Sequence, residues 1–151
     1  MKLKFLLTVI AILFAFSFCN ASCKSNNERT PRQNNNSKMK ITIGTAVFTA
    51  TLYKKPSAAA LKLMLPITVD MTELNGNEIY CDLPGRLPIN ASVGGDIKVG
   101  DLMLYGNNVL VLFYKSFNTS YSYTKLGSID NPAGLASALG AGNVVVKFEN
   151  N

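Results

Sequence analysis

A chain of 151 residues, 48% of them hydrophobic, can bury one ordinary core with appendages but not two. Its formal charge of +6 lies almost wholly in the first 38 residues, because nine cations face eight anions from Met39 onward. The folding part is thus near neutral, which argues against a nucleic-acid surface. The lack of histidine excludes a Ser-His-Asp triad, a His-activated cysteine and a His-Cys zinc site within the chain, and no metal site is expected.

Residues 1–22 read as a secretory signal. Lys2 and Lys4 form a basic start, and residues 5–18 are apolar apart from Ser17. At about 14 residues that run is shorter than the roughly 20 a membrane-spanning helix needs. Asn20-Ala21-Ser22 then precedes Cys23 with small residues in the last two places, as at a bacterial lipoprotein cleavage site, although Asn20 stands where leucine is usual. Cys23 is the expected lipidation site. Residues 24–38 are rich in Asn, Ser and charge, with nothing large enough to pack, and should form a flexible tether. The expected location is the bacterial cell envelope: exported, and held to a membrane by the N-terminal lipid. With Cys19 in the leader and Cys23 lipidated, Cys81 has no disulfide partner and reads as a buried, inert thiol.

From Met39 the pattern is mostly that of strands. Residues 40–43 and 46–53 flank Gly44-Thr45 as a first hairpin. Pro56, three alanines and Leu61 predict a short helix over 56–65, closed by Pro66. Residues 67–74 alternate strictly and meet Asn75-Gly76, a strong hairpin signal, before a return strand over 77–81. Residues 82–95, DLPGRLPINASVGG, form the longest irregular stretch, and loops of that length often carry function. The organising hairpin pairs 102–105 with 109–114 across Gly106-Asn107-Asn108. Its second strand, VLVLFY, is apolar on both faces and so must be covered on both. Residues 116–124 mix hydroxyls, amide and aromatic rings. A strand over 126–129, a helix capped at Asp130-Asn131 and running to Leu139, and a strand over 144–148 complete the chain. About eight strands with helices too short to cover a sheet favour a closed barrel, plugged at its ends by the helices.

The blocks GTAVFTATLYKKPSAAALKLMLP, MTELNGNEIYCDLPGRLP, VGDLMLYGNNVLVLFYKSFNTSYSYTKLGSID and GLASALG resemble the bacterial and archaeal cyclophilin-like proteins. The resemblance spans residues 39–148 and implies a mainly β fold, a closed eight-stranded barrel with two short capping helices, in the folded domain 39–151. It also raises prolyl isomerisation as an activity. A working cyclophilin uses an arginine beside a Phe/Met/Gln pocket, with a helix-borne aromatic and a histidine. Here His, Trp and any Phe-Met-x-Gln arrangement are missing. Arg86 is the only arginine from Met39 onward and is therefore the candidate catalytic residue. The candidate ligand-binding residues are Phe117, Asn118, Thr119, Tyr121 and Tyr123, as an apolar wall with a few polar groups. The plainer alternative makes them a barrel wall. The expected function is a non-catalytic binding module for a small molecule or peptide segment, without a cofactor. The alternatives are a weak prolyl isomerase using Arg86, or an accessory domain to a flavodoxin-like redox partner.

Overall fold

The structure, a computed structural model, describes residues 37–151, so the leader, Cys23 and nearly all of the tether lie outside the described residues. The element order is β1 (Lys38–Ile43), β2 (Ala46–Leu52), α1 (Pro56–Leu63), β3 (Ile67–Leu74), β4 (Glu78–Asp82), β5 (Ser92–Ile97), β6 (Asp101–Tyr105), β7 (Val109–Phe113), β8 (Phe117–Ile129), α2 (Leu135–Leu139) and β9 (Val144–Asn150). The hydrogen-bonded order is β2-β1-β9-β3-β4-β7-β6-β8-β5, and β2 pairs again with β8. Pairing therefore runs through eight strands and returns to its start, with β5 attached outside this ring. The assigned pairings are antiparallel.

Local chemistry explains most of these elements. Asn75 and Gly76 both take positive φ, 56° and 68°, as at the two central positions of a type I′ turn; Asn77 closes it by donating its N–H to Leu74 O and is the third residue between the paired Leu74 and Glu78. Helix α1 begins at Pro56 and buries Ser57, Ala58 and Leu61, while Leu65 just beyond it is also buried. Helix α2 departs from expectation. Asn131 Oδ1 accepts the N–H of Ala133 as a local turn, and the helix starts three residues after Pro132, behind Gly134 in a left-handed conformation. The side chain that looked like a cap satisfied a turn instead.

Two further differences shape the site. Residues 116–124 and 126–129 belong to one 13-residue strand, β8. Its far half pairs with β6 and β2, and its near half pairs with β5. The last four residues of the stretch read as irregular thus belong to strand β5, whose partner register shifts at a bulge between Val93 and Gly95. The remainder, residues 83–91, is tied down rather than free. Leu83 and Leu87 are buried and donate their N–H groups to Asn108 O and Asn107 O, both at 2.7 Å, while Ser57 Oγ donates to Pro88 O at 2.7 Å. This loop seats its leucines in the core.

The core has two parts. The main cluster fills the ring, with Ile41, Met71, Ile79, Leu102, Leu104, Leu110, Leu112 and Phe148 among its members. A second cluster of Ile97, Met103, Val111, Phe113 and Tyr123 lies on the other face of β6 and β7. Alternate residues of β7 serve the two clusters, which is why VLVLF has no polar position. The β5–β8 ribbon supplies the outer cover.

A tyrosine groove beside the outer core

Strand parity decides which side chains meet outside the ring. Glu78 and Tyr80 of β4 share one face, opposite to Ile79 and Cys81, and in register they pair with Phe113 and Val111 of β7. Tyr105 of β6 pairs with Val109. The ribbon brings Tyr121 and Tyr123 of β8 over this surface. Together with Leu74 and Asn75 from the β3–β4 hairpin, these residues line a groove of about 380 Å³. That volume lies within the range of small-molecule sites, and the mixture of apolar wall and few polar groups is typical of them.

The rings form a connected series. Tyr105 meets Tyr121 edge-on at 6.5 Å and Tyr123 at 5.8 Å between centroids. Tyr123 meets Phe113 edge-on at 5.5 Å, and Phe113 meets Phe117 at 5.7 Å. The buried end of the series anchors the groove in the outer core, while Tyr121, 65% exposed, forms its rim. Rings held by such neighbours present a preformed surface, so a ligand need not order them.

Glu78 is the one formally charged residue of the lining. It is only 8% exposed, and no ion pair or side-chain hydrogen bond engages it among the described residues. Burial pushes its carboxyl above the ordinary carboxylate range. Burial, and then the negative charge of Glu78, push the Tyr123 hydroxyl up to about 12, with smaller contributions from Tyr105 and Tyr121. Glu78→Gln is therefore expected to raise the unfolding midpoint near neutral pH. The sign follows from linkage: a carboxyl with a higher pKa in the folded state binds more protons there, so the wild type loses stability as pH climbs through the interval between the two values. Below about pH 3 the carboxyl is protonated in both states and the gain should vanish. Denaturation curves at about pH 3 and about pH 7 check this; a variant weaker than wild type at neutral pH would contradict it.

Of the residues anticipated for binding, Tyr121 and Tyr123 line the groove. Phe117 is half-buried against Phe113, behind it. Asn118 is exposed and donates to Asp96 Oδ1 at 2.9 Å, and Thr119 is buried with Oγ1 accepting the Tyr121 N–H at 3.2 Å. These three support the ribbon. Arg86 stands exposed between the buried Leu83 and Leu87 and is not among the lining residues. Cys81 is a buried free thiol, raised to about 11 by burial and then by Asp82, the opposite of an activated nucleophile. Glu78, Tyr80 and Tyr105 were not anticipated. Their signal in the sequence was parity: each occupies the alternate face of a strand whose other face is core.

The family model of the cyclophilin-like family matches residues 41–149. The chain belongs to the cyclophilin-like family. Its fold is similar to the solution structure of a hypothetical protein from Archaeoglobus fulgidus, with a TM-score of 0.59 and 20% identity over 77% of this chain and 95% of that one. A likeness at that identity concerns the fold alone. No curated protein matches the sequence. Within this cyclophilin-like domain, no helix among the described residues is long and apolar enough to cross a membrane.

Proposed function

We propose that this cyclophilin-like domain is a non-catalytic binding module that takes a small molecule or a short peptide segment into the tyrosine groove. The observation that supports the reading is the groove itself, a concave, mostly apolar surface lined by four tyrosines and one glutamate. The ring of strands, read as a closed eight-stranded barrel, would be the rigid base against which the β5–β8 ribbon holds the site. Isomerisation has less support, because Arg86 is absent from the groove lining and no histidine exists.

Ligand-observed NMR with a mixture of small organic molecules and short peptides tests the reading. Bound members should lose their signal change with Tyr121→Ala, a substitution at an exposed position that the fold should tolerate. Binding that is unchanged in the folded variant would refute it.

The same proposal places the domain outside the cytoplasm, exported by residues 1–22 and held to a membrane by a lipid on Cys23, with residues 24–38 as spacer. The intact mass of the chain recovered from the envelope is expected to show cleavage before Cys23 and a diacylglyceryl adduct. A mass without the adduct would remove the anchor.

A further inference from the structure

Three observations about the groove bear on the charge of its occupant. The wall carries a single formal charge, and it is negative. The residue that bears it, Glu78, is largely buried, and its carboxylate lacks an ion-pair or hydrogen-bond partner among the described residues. Around it stand four tyrosines, Tyr80, Tyr105, Tyr121 and Tyr123, whose ring faces are electron-rich. A buried carboxylate without a partner is costly, and the cost is relieved by a cation. Aromatic rings attract the same cation, most strongly where water is displaced. A neutral or anionic ligand would leave Glu78 unpaired and more deeply desolvated than before.

We propose that the groove receives a small organic cation, an alkylammonium group seated between the Glu78 carboxylate and the rings of Tyr105, Tyr121 and Tyr123. The inference deepens the binding reading and rests on it. The alkyl body would cover Val109 and Val111, and the charged head would lie toward Glu78. A bare metal ion fits less well, because Glu78 is the single carboxylate of the lining and hard cations need several oxygen ligands. An ammonium carried by a free amine and one carried by a lysine side chain share this chemistry.

The test titrates the isotope-labelled full chain with choline and with 3,3-dimethyl-1-butanol, the neutral molecule of the same shape. A short peptide containing trimethyllysine forms a third arm. Choline or the peptide should shift groove resonances and bind about ten-fold or more tightly than the alcohol, and Glu78→Gln should erase that preference. Choline binding alone identifies a free small-molecule ammonium as the source, and peptide binding alone identifies a side chain. Equal binding of choline and the alcohol, or a preference that survives in Glu78→Gln, would overturn the inference while leaving the groove as a binding site. No response to any of the three overturns the inference as well. The binding reading then falls with it only if the wider mixture also shows nothing that depends on Tyr121.

Discussion

Phe113→Ala is expected to lower the stability of the domain by about 3–5 kcal/mol, the cost of a large aromatic deletion where the surroundings cannot collapse. Phe113 is fully buried, and its ring is in contact with those of Tyr123 and Phe117. It is the residue through which the β5–β8 ribbon grips the outer face of the sheet. The loss should be uneven. Amide exchange in Ser92–Ile97 and in the near half of Phe117–Ile129 should accelerate more than in β1, β3 or β9, because those strands close on the other core. Chemical denaturation with hydrogen exchange reads both quantities. A loss under about 1 kcal/mol, or uniform exchange, would mean that the ribbon is held by something other than this cluster.

Gly127→Ala should cost about 3 kcal/mol, although exchanging glycine for alanine in an unstrained site usually gains about 0.4–1 kcal/mol through the unfolded chain. Gly127 lies where β8 pairs on one side with Leu102 of β6 and on the other with Leu52 of β2. A methyl group there would collide with the carbonyl oxygen of Thr51 and press on the Leu52 backbone. Backbone held in two ladders cannot swing aside as a side chain can, so relief requires parting β2 from β8. That pairing is the one that returns the strand order to its start. Gly142→Ala is the control, because an added Cβ there meets nothing within 4 Å and the backbone is unstrained. Thermal unfolding of the two variants side by side gives the comparison. Equal midpoints would show that the seam yields easily.

Much of the ring was legible because its signals are local. Asn75-Gly76 needs positive φ twice, Pro56 opens a helix, and the two-sided apolar run of β7 demanded two covers. The ribbon was not legible in the same way. Ser92–Ile97 contains two adjacent glycines, which weaken any strand signal, and it becomes a strand only because β8 supplies a partner. In Phe117–Tyr123 the hydroxyl-rich composition masked a period of two, in which Phe117, Thr119, Tyr121 and Tyr123 alternate with Asn118, Ser120 and Ser122. Tyr121 and Tyr123 of that period line the groove, but the residues beside them, Glu78, Tyr80 and Tyr105, come from β4 and β6, and only strand order places them together. Arg86 is the one arginine from Met39 onward and sits in a long loop. Its neighbours Leu83 and Leu87 give that loop a packing role that composition does not reveal.

The most direct measurement is an amide-resolved NMR titration of the labelled chain with phenol and with isopropanol, two probes that settle on preformed apolar concavities. Shifts should concentrate at residues 78–80, 105–111 and 121–123, with the 83–91 loop unmoved. Shifts centred on residues 83–91 around Arg86, or spread evenly over the surface, would contradict the tyrosine groove as the binding site.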